Sequence, residues 1–168
     1  HLASGTIYSG QFFVSGAATS GDVTVNGILI GRGFNQSTYN TIVGNTNFVP
    51  LSGGLNVVVG YEAGSYSSGS SANVIVGATA ARFQQDFDQS VVIGYAAAYS
   101  SGTIENGVVI GAIAGQNLQS GFNSVVIGYG AGANTPLSGK ITSLANSVLI
   151  GQNAITKFPA ETDAIVIG

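Results

Sequence analysis

A run of three apolar residues closed by glycine returns eight times along this chain, with a weaker ninth copy that opens on threonine, and that repeat limits the folds open to it more than any other feature. The copies are ILIG ending at Gly31, TIVG at Gly44, NVVVG at Gly60, NVIVG at Gly77, SVVIG at Gly94, GVVIG at Gly111, SVVIG at Gly128, SVLIG at Gly151 and AIVIG at Gly168. Gly60, Gly77, Gly94, Gly111 and Gly128 stand 17 residues apart, as do Gly151 and Gly168; the remaining steps are 13, 16 and 23, the longest holding the insert NTPLSGKITSL. A fixed period of this length is the mark of stacked repeats.

Other positions keep the same phase. Alanine stands three residues after the glycine, at Ala63, Ala80, Ala97, Ala114, Ala131 and Ala154. An amide or acid stands four or five residues before it, at Asn26, Asn40, Asn56, Asn73, Gln89, Asn106, Asn123, Asn146 and Asp163. The rest of each period is rich in the Ser, Gly and Asn of turns. Three β-branched residues make a strand too short to stand alone. Stacked coils give each strand neighbours about 4.8 Å away on both sides. Glycine permits a corner that a Cβ would obstruct, alanines keep the interior thin, and stacked amides can form ladders. Helix is disfavoured by both glycine and the β-branched residues. The expectation is an all-β parallel solenoid of about 17-residue coils, with residues 1–25 as a lead-in and 26–168 as the repeat domain.

Side chains alternate along a strand. If the first and third members of each triplet face the coil interior, the middle member faces outward: Leu29, Ile42, Val58, Ile75, Val92, Val109, Val126, Leu149 and Val166. All nine are apolar, where a solvated strand should show polar residues outward. They would form a stripe roughly 38 Å long, whose burial is worth on the order of 15–25 kcal/mol. Residues 1–25 are too short to cover it. Three copies around an axis would, so these nine are expected to form a homotrimer interface.

Composition fits an assembly. Apolar residues make up 45% of the 168 residues and charged ones 7%, against roughly 25% charged in an ordinary soluble domain. Four basic residues, Arg32, Arg82, Lys140 and Lys157, against seven acids leave a net charge of −3. No basic patch serves nucleic acid. Cysteine is absent, which removes disulfides and thiolate metal sites. No apolar run approaches a membrane span, and no signal peptide is visible. The chain begins at His1 and stops at Gly168 in mid-motif, which reads as a fragment of a longer protein.

The unit seen in NVVVGYEA, NVIVGATA, NSVVIGYGA and NSVLIGQNA resembles the left-handed parallel β-roll of trimeric autotransporter adhesin heads. It also resembles the repeats of bacteriophage tail fibres that end in a self-cleaving intramolecular chaperone, and DVTVNGILIGRG is similar to the segment leading into those repeats. The likeness covers about residues 22–168. Adhesin heads usually have a shorter, more regular period, with AIG where this chain has VIG, so the tail fibre is favoured. The resemblance implies a left-handed roll, intertwined or side by side as a homotrimer, located in a virion tail fibre and presenting a surface to a host glycan or protein receptor. The alternative it leaves is an adhesin head on a bacterial surface. It implies no cofactor, no metal, no membrane insertion and no catalysis; a chaperone domain would follow Gly168.

Candidate sites are few. Asp88 and Glu105 fall at equivalent places on adjacent coils, about 5 Å apart, the carboxylate separation of a retaining glycosidase, with Asp86 nearby. The bland reading, solvated turn residues, is preferred because no sugar-holding cluster accompanies them. His1 is the sole histidine, so no triad can form. GYGAG at Gly128–Gly132 and GRG at Gly31–Gly33 lack the Lys-Ser/Thr of a phosphate loop. Tyr61, Tyr95 and Tyr129 each follow a corner glycine on alternate coils; such a row could stack on sugar rings, but filling the corner or an inter-chain seam is the preferred reading. The turn residues Tyr66, Arg82, Phe83, Phe87, Tyr99 and Phe122 either pack between chains or contact a receptor. Lys140, in the insert Asn134–Leu144, marks an exposed loop. An ice-binding surface would need stacked threonines, and none stack here.

Overall fold

The computed structural model describes residues 23–25, 28–31, 39–45, 53–67, 69–84, 86–133, 142–157 and 160–168. These form two sheets and no helix. The larger sheet holds β1 (Val23–Val25), β2 (Ile28–Gly31), β3 (Thr41–Asn45), β4 (Val57–Gly60), β5 (Val74–Val76), β7 (Val91–Ile93), β9 (Val108–Ile110), β11 (Val125–Ile127), β13 (Val148–Ile150) and β15 (Ile165–Ile167), neighbours in that order. The smaller holds β6 (Phe87–Asp88), β8 (Thr103–Glu105), β10 (Ser120–Phe122), β12 (Ser143–Ala145) and β14 (Ala160–Thr162). From β3 onward every pairing is parallel and joins equivalent residues of successive coils: Val57, Val74, Val91, Val108, Val125, Val148 and Ile165 lie in one row. The expected solenoid is present.

The first repeat copy behaves differently. β2 runs antiparallel to both β1 and β3, with Ile28 opposite Asn45 and Gly31 opposite Ile42. The 13 residues from Gly31 to Gly44 are too few for a full circuit, so the chain returns beside itself. ILIG is therefore part of an antiparallel end piece, and parallel stacking begins at β3. The longer step from Gly128 to Gly151 preserves register at both strands, with Val125 opposite Val148 and Ser120 opposite Ser143.

Within the strands the inside and outside are reversed from the sequence expectation. The middle members Leu29, Ile42, Val58, Ile75, Val92, Val109, Val126 and Leu149 are buried in the core of the single chain, and Val166 packs partly against it. They do not face a partner. The first and third members face out. The reason lies at the preceding position, where Asn40, Asn56, Asn73, Ser90, Ser124 and Ser147 are also buried. Alternation then runs in, out, in, out, and the inward polar residue disguised the phase.

Those polar residues are satisfied by the backbone. Asn56 accepts at Oδ1 from the amide of Asn73 (3.0 Å), and Asn73 accepts at Oδ1 from the amide of Ser90 (2.9 Å). Asn73 Nδ2 donates to Phe87 O at 2.7 Å, tying the two sheets together. Where serine replaces asparagine the link continues through the hydroxyl, from Gly107 N to Ser90 Oγ (3.0 Å) and from Ser147 N to Ser124 Oγ (3.2 Å). Apart from Asn26, which lies outside the described residues, the expected amides thus divide in two. Asn40, Asn56 and Asn73 form an inner ladder, whereas Gln89, Asn106, Asn123, Asn146 and Asp163 sit one residue earlier, exposed, at a left-handed corner with φ between 48° and 57°.

The alanines expected inside are inside: Ala63, Ala80, Ala97, Ala114 and Ala131 are fully buried and Ala154 nearly so. They lie on a third wall, not on a second strand. Here residues two, four and six after the corner glycine have positive φ, as at Thr79, Ala81 and Phe83, at Ala96, Ala98 and Ser100, and at Ile113, Gly115 and Asn117. Their amides bond alternately to the previous and following coils: Ala96 N to Ala78 O (3.0 Å), Ala98 N to Ala114 O (2.8 Å), Ser100 N to Arg82 O (2.8 Å). An L-residue in this conformation costs roughly 1–2 kcal/mol, and the inter-coil bonds offset it.

Candidate functional site

The outer face of the larger sheet carries two apolar columns. From β4 to β15 the outward pairs are Val57 and Val59, Val74 and Val76, Val91 and Ile93, Val108 and Ile110, Val125 and Ile127, Val148 and Ile150, and Ile165 and Ile167. Val57, Val59, Val74 and Ile150 are 36–40% exposed, Ile165 and Ile167 about three quarters, and the others half-buried by their neighbours in the columns. Together they form a contiguous apolar face along seven strands, and extended apolar faces of this kind mark interaction sites. Reversing the strand's phase therefore widened the outward stripe from one column to two.

A second feature sits on the third wall. The rings of Tyr66 and Phe83, equivalent residues of adjacent coils, stack at 4.9 Å with planes 20° apart, and Tyr99 meets Phe83 edge-on at 5.7 Å. Arg82 lies over Phe83, its guanidinium carbon 4.4 Å from the ring centre, and Nη1 pairs with Glu62 Oε2 at 3.1 Å. Four of the expected receptor residues, Tyr66, Arg82, Phe83 and Tyr99, are thus brought together. Phe87 is not among them. It is completely buried, on the inward position of β6 above Ile104 of β8, and its role is core packing. The period itself carries the signal, since Ile104 and Leu144 hold the matching positions of later coils and are buried too. Phe122 stands apart, exposed on β10. Lys140 lies outside the described residues.

Beside the aromatic stack is an open groove of about 420 Å³. Thr79, Ala96 and Ile113 line it from three successive coils, as do Arg82, Tyr99 and Gln116, each three residues farther along its coil, together with Tyr95. Tyr95 is 64% exposed, and Tyr61 and Tyr129 are 58% and 55%. These tyrosines do not fill the corners, because the corner itself is closed by contact between glycine backbones.

Asp88 and Glu105 are opposite one another in the parallel pairing of β6 and β8, as their spacing predicts. Asp88 Oδ1 accepts a hydrogen bond from Ser71 N at 2.6 Å, so one carboxylate is occupied in joining coils. The same row continues as Phe122, Ala145 and Thr162, with no further acid. Among the described residues no group of three or more His, Asp or Glu is placed to hold a metal ion, and no helix is long and apolar enough to cross a membrane. Comparison with protein-family models, curated proteins and solved structures finds no match to this chain.

Proposed function

We propose that this chain is a structural and adhesive segment of a trimeric fibre of the viral tail-fibre kind, in which three left-handed rolls associate along the outward columns of the larger sheet and present their other walls to a host surface. The observation that carries the reading is the pair of apolar columns running through seven consecutive strands. Each Å² of this surface buried between chains is worth about 25 cal/mol before the cost of association. A ridge two residues wide on each of these strands suits packing about a common axis, and the low charge of the whole chain suits a partly hidden surface. The role is mechanical and recognitive, without catalysis. The interface residues are the first and third triplet members such as Val91, Ile93, Val108 and Ile110, in place of the middle members.

Because the chain has no cysteine, single cysteines report contacts cleanly. Val108→Cys and Ile110→Cys should each be joined into covalent dimers by a short bis-maleimide, while Gln119→Cys, exposed away from the columns, should not. Equal labelling of all three as single chains would exclude association along this face.

A further inference from the structure

The geometry points to the groove beside Tyr95 as a subsite for a neutral, extended pyranose chain. This rests on the adhesive reading above and supplies its ligand class. The volume of about 420 Å³ is in the range of small-molecule sites. Its lining combines two tyrosines with a few convergent polar groups, the Thr79 hydroxyl, the Gln116 amide and the Arg82 guanidinium. An aromatic ring as exposed as that of Tyr95 offers a flat apolar face with a polar tip, suited to a ligand that is itself apolar on its ring faces and polar around its rim. Sugars have that character.

Charge selects among sugars. Arg82 is paired with Glu62 at 3.1 Å, so its cation is already balanced and the groove favours a neutral ligand over an anionic one. The guanidinium is held over Phe83 and Tyr66, and a group fixed beforehand loses little freedom on binding. Length follows from the repeat. Tyr61 and Tyr129 occupy the position of Tyr95 two coils away on either side, 34 residues in each direction, or about 10 Å along the stack. Ala78 and Ala112 intervene and leave room beside each ring. Three aromatic platforms at this interval suit an oligosaccharide whose alternate rings stack, in preference to a single sugar.

The probes are cellohexaose and chitohexaose as neutral chains, cellobiose as the short chain, and oligogalacturonate as the anionic one, followed by saturation-transfer NMR and tyrosine fluorescence on the intact chain. A neutral hexasaccharide is expected to bind at millimolar or lower concentration and at least about tenfold more tightly than cellobiose. Tyr95→Ala should weaken it at least about tenfold, Gln116→Ala less, and Phe122→Ala, on the smaller sheet, not at all, with circular dichroism unchanged throughout. Absence of binding by either neutral hexasaccharide, preference for the anionic chain, or full binding by Tyr95→Ala would each overturn the assignment. Sedimentation of the same samples separates the two readings. A trimer that ignores sugars refutes the groove alone, whereas a single chain that binds them refutes the assembly alone.

Discussion

Replacing Gly94 by alanine should unfold the coil stack more readily than replacing Gly69, a glycine of positive φ that stands in open space. Gly94 has φ +137°, a conformation costing an L-residue roughly 1–3 kcal/mol. A Cβ there would lie 2.5 Å from Gly111 O, 2.7 Å from Gly111 C and 3.2 Å from Ala112 N, all backbone atoms that cannot rotate away. Relief requires the two coils to part by about 0.7 Å, which weakens the flanking bonds from Gly111 N to Ile93 O and from Ile113 N to Tyr95 O, both 2.8 Å. With about 0.5–1.5 kcal/mol at stake in each bond, the total with the conformational cost is about 2–6 kcal/mol. Gly69 provides the comparison: its φ is +74°, and a Cβ there would meet only Asp86 Oδ1, at 3.9 Å. Gly69→Ala should therefore cost about 1–2 kcal/mol from conformation alone. Urea unfolding followed by circular dichroism, at one protein concentration, gives both values. If the two variants fall within about 0.5 kcal/mol of each other, close inter-coil contact is not what requires glycine at the corner.

Three further outcomes follow from the same geometry and the same unfolding assay. Ile75→Ala, which empties a fully buried middle position, should cost about 2–4 kcal/mol; a loss under about 0.5 kcal/mol would return that residue to the surface. Asn73→Ala removes the acceptor of Ser90 N and the donor to Phe87 O and should cost about 2–4 kcal/mol, whereas Asn146→Ala, exposed at the outer corner, should cost less than about 1 kcal/mol; equal costs would mean that the two amide rows are equivalent. Ser100→Gly, at an exposed residue with φ 56°, should stabilise by up to about 1 kcal/mol, and destabilisation would show that the alternating left-handed conformation is not strained.

The coil length, the parallel stacking, the alanine-lined interior and the amide ladder were legible in the sequence because each rests on a residue type repeated in phase. The orientation of the strand was not. With all three triplet members apolar, only the residue before them could set the phase, and its Asn and Ser side chains look like turn residues until Asn73 is found bonded to Phe87 O inside the coil. The third wall was hidden for a related reason. Gly64 and Gly115 hint at positive φ in their phase, but Ala81 and Ala98 share that phase and conformation, and alanine advertises no such preference. The antiparallel start could be suspected only from the short step after Gly31. Of the candidate residues, period alone could have assigned Phe87 to the core. The stack of Arg82 on Phe83 and the groove beside Tyr95 depend on how neighbouring coils superpose the left-handed wall, which spacing without conformation does not reveal.

Sedimentation equilibrium on the wild-type chain weighs the central claim directly. One chain has a mass of 16.8 kDa, so association along the outer columns in threes predicts a single species of about 50 kDa that persists on dilution. A stable 16.8 kDa species would mean that Val91, Ile93, Val108 and Ile110 remain in water, and would contradict the account.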